Sequence, residues 1–180
     1  VTIGGIAKGA GMIAPGMSET GERPALHATM LSFLTTDAAV ERRTLQACLN
    51  KAVAQSFNCV TVDGDMSTND TLLLLANGMA GNAPLSAGSP ELATFQSALN
   101  HVTVELAKMI ARDGEGATKL VTVRVLGAVS NRDADIAAHS IANSCLCKTA
   151  WYGGDSNWGR IVDAVGYSEA KIVEEKADVS

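Results

Sequence analysis

Apolar residues recur along this chain at two spacings, steps of three and four and steps of two. That mixture predicts an α/β protein. The clearest helical stripe is Leu92, Phe95, Leu99, Val102, Leu106, Met109 and Ile110. Ser89, Pro90 and Glu91 in front of it read as N-cap, first-turn proline and first-turn acid, and residues 113–116 (Asp-Gly-Glu-Gly) stop it. A second stripe, Val40, Leu45, Cys48, Leu49, Ala52 and Val53, predicts a helix over residues 38–56 capped by Thr36 or Asp37. Ser67 and Asp70 form a capping-box pattern, predicting a helix over residues 71–77 that ends at Gly78. Asn131 or Asp133 opens another, rich in Ala and Ser, running to about Cys147.

Strands are expected at residues 30–34 and 58–62. A further one is expected at residues 120–126, where Val121, Val123 and Val125 alternate with Thr122 and Arg124. Residues 161–165 read as a strand or a short helix. Residues 1–27 lack periodicity, and Gly4, Gly5, Gly9, Gly11 and Gly16 predict tight turns and close backbone approach. Residues 18–27, 80–88 and 148–160 read as loops. With no repeat, low-complexity tract or linker, these elements add up to a single layered α/β domain.

Composition narrows the picture. Hydrophobic residues are 47% and charged residues 18%, which is globular. Aromatics are 4%, so the core is aliphatic. A net charge of -5 with scattered Lys and Arg argues against a nucleic-acid partner. No segment approaches the roughly 20 apolar residues of a membrane span. The first residues lack the basic start of a signal peptide, and Val1 is not an initiator Met, so a processing boundary is expected there. Cys48, Cys59, Cys145 and Cys147 have no metal-ligand spacing and read as buried reduced thiols. Asp63 and Asp65 have no third ligand at useful spacing and read as a turn. No metal is expected. His27, His101 and His139 form no triad with anything visible and receive no catalytic role.

The chemistry turns on Ala28-Thr29. A threonine hydroxyl is a poor nucleophile. A chain cut before Thr29 would carry a free α-amine there, which titrates at about 7.7–8.0. Such an amine can take the proton of its own residue's hydroxyl, the threonine–N-terminal-amine form of an activated nucleophile. Uncut, Thr29 has no base of its own.

Four ordered segments resemble the ornithine acetyltransferases, the bifunctional glutamate N-acetyltransferases of arginine biosynthesis. They are residues 8–12 (Lys-Gly-Ala-Gly-Met) with residues 28–31 (Ala-Thr-Met-Leu), residues 63–70, residues 112–119, and residues 148–160. The likeness runs from Ile3 to about Tyr167, over the central portion of the family. It implies a layered α/β sandwich resembling the N-terminal-nucleophile hydrolases, and a precursor that cuts itself at Ala28-Thr29. Residues 1–28 would end an α-subunit portion and residues 29–180 begin a β-subunit portion. The implied reaction moves acetyl from N-acetylornithine to glutamate through an acetyl-threonine on Thr29. It needs no cofactor, although some members also take acetyl from acetyl-CoA. The assembly implied is an αβ heterotetramer.

By the same resemblance Lys8 contacts substrate near Thr29, itself both nucleophile and substrate contact. A cation there suits carboxylate-bearing substrates and a developing oxyanion. Glu115 matches an acidic substrate-binding residue, set between two glycines that let a ligand come close. Residues 67–70 read as a helix cap or as part of a pocket floor. Residues 155–160 read as a pocket wall or subunit contact, with Arg160 placed for a bidentate carboxylate or for a structural ion pair.

The chain departs from the pattern in two ways. Residues 18–27 intervene where the family runs almost directly into Ala-Thr-Met-Leu, which bears on self-processing. The family's oxyanion-hole Thr-Gly pair falls before Val1, and further substrate-binding Asn and Thr residues fall after Ser180. Little transferase activity is therefore expected of these 180 residues alone. Two other readings stand beside the acetyltransferase: an N-terminal-nucleophile aminopeptidase or amidase, and a catalytically incomplete structural fragment. Reduced cysteines suit the cytoplasm, or the mitochondrial matrix for a fungal member.

Overall fold

Three strands and two long helices carry the chemistry-bearing half of the chain. The structure, a computed structural model, describes residues 1–17 and 29–180, with the Glu174 side chain left aside. It divides into two units, Val1–Ala117 and Thr118–Ser180. Residues 18–28, among them Ala28 and the expected polar loop, lie outside the described residues.

In the first unit β1 (Ile3–Lys8), β2 (Leu31–Thr36) and β3 (Thr71–Ala76) form a sheet in that order. β1 runs antiparallel to β2 with Lys8 opposite Leu31, and β3 runs parallel to β2 with Thr71 beside Leu31. Along β2, Ser32, Leu34 and Thr36 are buried while Phe33 and Thr35 are exposed, the alternation of a sheet with one covered face. The helices α1 (Arg42–Ala54) and α2 (Pro90–Arg112) supply most of the rest of the core. Leu34, Leu49, Phe57, Phe95, Leu99 and Ile110 pack together in it.

Gly5 shows how closely α2 lies on the sheet. A Cβ there would stand 2.5 Å from Leu34 Cδ2 and 2.9 Å from Leu106 Cδ1. Gly5→Val is therefore expected to cost about 1–3 kcal/mol by overpacking. Urea titration checks this, and an unshifted midpoint would contradict the close approach. On the opposite face Ile6, Phe33 and Leu73 sit side by side and exposed, and Lys8, Leu31 and Thr71 form the next row.

Several expectations need correcting. Residues 71–77 are a strand, not a helix. Ser67 and Asp70 do not cap a helix: Ser67 Oγ accepts from Asn69 N at 3.2 Å and Asp70 Oδ1 from Met30 N at 3.2 Å. Pairing with β2 outweighs the local propensity of four consecutive leucines. Residues 58–62 are not a strand; Phe57–Cys59 is a 3-10 turn, and Val62 N donates to Ile13 O outside any ladder. Helix α1 begins at Arg42, not residue 38. Thr36 and Asp37 are engaged by Thr2 instead, and Val40 bridges to Leu85. The Thr2 N–H holds the Asp37 carboxyl below its ordinary pKa. β1 itself is unforeseen, because Gly4 and Gly5 mask it. Helix α2 matches the expectation, with Ser89 Oγ accepting from Leu92 N at 3.1 Å.

The second unit holds α3 (Asn131–Asn143), α4 (Cys145–Gly153) and α5 (Trp158–Gly166), packed around Ile141, Cys147 and Ala164. The expected single helix to Cys147 breaks at Ser144, whose hydroxyl accepts from Cys147 N and starts α4. Residues 148–160 are accordingly not one loop. Gly154, at φ 72°, ends α4, and Asn157 caps α5. Of the two readings of residues 161–165, the helix is realised. Residues 120–126 form no strand, since no described residue pairs with them, although Val123 reaches the α3–α5 core.

Candidate active site around Thr29

The antiparallel register of β1 and β2 places the end of one strand beside the start of the other. Lys8 closes β1 opposite Leu31, two residues from Thr29. Its Nζ donates to the Thr29 carbonyl oxygen at 2.8 Å. The loop leaving β1 then folds back over the threonine. Thr29 Oγ1 donates to Met12 Sδ at 3.8 Å, a weak acceptor and no base.

Met12 has φ 57°, an unusual conformation for a side-chain-bearing residue, costing about 1–3 kcal/mol. Asp63 holds it there. One carboxylate oxygen accepts from Met12 N at 2.6 Å, and the other accepts from Ile13 N at 3.1 Å and Asp65 N at 3.0 Å. The Asp63–Asp65 turn expected from sequence is real, and its carboxylate also serves the loop fifty residues earlier.

Glu115 reaches the same loop from the end of α2. Its N–H donates to Ala10 O at 2.8 Å, and its carboxyl lies so close to Gly11 that a Cβ there would meet it at 2.9 Å. Lys8, Thr29 and Glu115, 107 residues apart at the extremes of sequence (115 − 8), thus converge on residues 8–12. Ala28, the other side of the expected scissile bond, lies outside the described residues. Along the free edge of β1 an open groove of about 510 Å³ is lined by Ile6, Lys8, Leu106, Met109 and Arg112.

Asp70 stands immediately behind the threonine. Oδ1 takes the Met30 N–H, while Oδ2 is buried with no hydrogen-bond partner among the described residues. Burial raises the pKa of this carboxyl above its ordinary value, against the Met30 N–H and Ser67, which pull it down. Sequence reading assigned residues 67–70 to a cap or a pocket floor. No periodicity marks a carboxylate that bonds across forty positions.

In the second unit Arg160 meets no carboxylate among the described residues. Its Nη1 donates to Leu146 O at 2.8 Å and Thr149 Oγ1 at 3.0 Å, tying α5 to α4. Asn157 Nδ2 donates to Asp155 Oδ2 at 3.0 Å. Lys119 Nζ donates to the carbonyls of Trp151 and Tyr152 near the end of α4, a favourable place for a cation. His139 pairs with Asp135. Cys48 and Cys147 are buried, but Cys59 and Cys145 are exposed, so the four thiols do not share one environment. Burial raises the Cys48 pKa.

A sequence profile described as the ArgJ family matches residues 1–180. The chain belongs to the ArgJ family. It is 54% identical over 178 residues, 99% of its length, to the arginine biosynthesis bifunctional protein ArgJ of Geobacter sulfurreducens, and covers 43% of that protein. It is 50% identical over 179 residues, 99% of its length, to the ArgJ of Bacillus subtilis, and covers 42% of it. It therefore spans less than half the length of these curated relatives. In three dimensions it resembles the crystal structure of ArgJ from Bacillus halodurans. The TM-score is 0.80 and the identity 49%, with 82% of this chain and 69% of that one covered. The layered α/β fold is thus that of the ArgJ proteins.

Proposed function

We propose that this ArgJ-family chain carries the nucleophile of an acetyltransferase that moves acetyl from N-acetylornithine to glutamate in arginine biosynthesis. Two lines support the reading: the family, and the convergence of Lys8 and Glu115 on the loop that covers Thr29. The observation that carries it is the Lys8 Nζ bond to the Thr29 carbonyl at 2.8 Å, which puts a cation beside the candidate nucleophile.

Self-cleavage comes first. Thr29 Oγ attacks the Ala28 carbonyl, the Thr29 nitrogen leaves with a proton, and water hydrolyses the resulting ester. Residues 1–28 are released as a carboxylate and Thr29 gains its α-amine. In transfer, Oγ attacks the acetyl carbonyl while the α-amine takes the hydroxyl proton. That proton goes to the departing ornithine nitrogen. The amine of glutamate then attacks the acetyl ester, the acetyl–Oγ bond breaks, and the α-amine passes a proton from the glutamate nitrogen to Oγ, restoring the threonine. Acetyl-CoA serves as a second donor by the same attack on its thioester. Lys8 faces substrate carboxylate or oxyanion and Glu115 pairs with a substrate ammonium. The cut pieces assemble as an αβ heterotetramer, and the enzyme works in the cytoplasm, or in the mitochondrial matrix of a fungus. No helix among the described residues is long and apolar enough to cross a membrane.

Intact-mass spectrometry tests the reading. The expected result is a split between Ala28 and Thr29, and slow addition of one acetyl group to the 29–180 piece on prolonged exposure to N-acetylornithine, a single acetylation that the low turnover expected of these 180 residues still allows. A chain that neither splits nor takes up acetyl would overturn it.

A further inference from the structure

We infer that Asp70 is a positioning residue for Thr29. Its Oδ1 fixes the Thr29–Met30 peptide, and its Oδ2 receives the α-ammonium that Thr29 gains on cleavage. The inference rests on the reading of Thr29 as an N-terminal nucleophile.

Three observations lead to it. First, Asp70 ends the turn before β3 and Thr29 stands just before β2; the parallel register sets Thr71 beside Leu31, so the two approaches run together. Second, the contact falls on the backbone next to the nucleophile, because Met30 N is the amide that joins Met30 to Thr29. Met30 is fully buried, and its carbonyl in turn accepts from Thr71 N at 3.1 Å, so both polar groups of this residue are held by the start of β3. Third, Oδ2 is buried and meets no donor in full hydrogen-bond geometry among the described residues, although Ser67 stands close enough to lower the pKa of the carboxyl. A buried carboxylate oxygen is costly unless something donates to it. Consecutive Cα atoms are about 3.8 Å apart. A carboxylate anchored on Met30 N therefore stands one residue along the backbone from Thr29 N.

In the uncut chain Thr29 N is an amide. In the cut chain it is an amine with two or three donors. An acceptor waiting there would turn the amine lone pair and the hydroxyl into a constant relation, and would stabilise the ammonium formed each time the amine takes the Oγ proton. Lys8, bonded to the Thr29 carbonyl, carries the opposite charge and acts in the opposite sense.

The test compares the parent chain with Asp70→Asn. Asn keeps an oxygen for Met30 N–H and replaces Oδ2 by an NH2 group, which cannot accept. The cut form is examined, supplied if necessary as residues 1–28 co-expressed with residues 29–180. The Thr29 α-amine pKa is read from its rate of acylation by an amine-selective reagent across pH. The expected result is a fall of about one unit in Asp70→Asn. Equal values in the two proteins overturn the inference. In the uncut chain, Asp70→Leu is expected to speed hydrogen exchange at the Met30 amide at least about tenfold, the loss of one charge-assisted bond. Unchanged exchange overturns the anchoring role whether or not the two pieces assemble. Absence of self-cleavage in the parent chain counts against the Thr29 reading alone, since both measurements proceed without it.

Discussion

Thr29→Ala is expected to leave the chain whole and unable to take up acetyl. The mass spectrum should show one species of full length, with no adduct after incubation with N-acetylornithine. In the proposed mechanism Oγ1 is the atom that attacks both the Ala28 carbonyl and the acetyl group, so removing it leaves no pathway through this residue. Stability should hardly move. Thr29 is half-buried and its hydroxyl donates weakly to the Met12 thioether, so a change within about 0.5 kcal/mol is expected. That separation is what makes the experiment informative. Thr29→Ser, which keeps a hydroxyl on the same carbon, should still split. If Thr29→Ala splits like the parent, the nucleophile is elsewhere.

Asp63→Ala is expected to damage both stability and cleavage. One carboxylate accepts from three backbone N–H groups, at Met12, Ile13 and Asp65. Water can replace it at the exposed Met12 and Asp65 amides, but Ile13 is fully buried and its amide is left without an acceptor. A loss of about 2–3 kcal/mol follows, a fall in Tm of about 5–10 °C. The same change frees Met12 from φ 57° and loosens the loop between Lys8 and Ile13. A shift of about 1 Å in such a loop can cost about 100-fold in rate, so cleavage should slow by about that factor. Asp63→Asn, with one acceptor oxygen left, should fall between. Thermal melting and the time course of the split check the two halves separately. A melting point and a split rate both equal to the parent's would show that the clamp carries neither.

How much of this was legible beforehand differs from element to element. Helix α2 was legible in full, because its cap, its proline and its stripe all agree, and nothing outside the helix is needed to explain them. β3 was not. Ser67, Asn69 and Asp70 are good capping residues, and the leucines after them are good helix formers. The strand exists because β2 offers a ladder alongside. β1 was hidden by its glycines, yet Gly5 is there because α2 leaves no room for a side chain. Residues 120–126 show the converse: a sound alternating pattern with no neighbour among the described residues, hence no strand. At the site, Lys8, Thr29 and Glu115 were singled out through the resemblance of ordered motifs. Asp63 was noticed as a turn residue and Asp70 as part of a cap or pocket floor, but neither long-range bond was legible, since each acts on backbone forty or more positions away.

The sequence by itself determined the ordered motifs that mark the family, the candidate residues Lys8, Thr29 and Glu115, and the helix whose signals are local. Only the tertiary structure decided which apolar runs became strands and which carboxylates hold the surroundings of Thr29. The physical reason is one of range. Caps, turns and side-chain periodicity act within a few residues of one another. Strand pairing, and a carboxylate gathering distant N–H groups, depend on what the folded chain brings alongside.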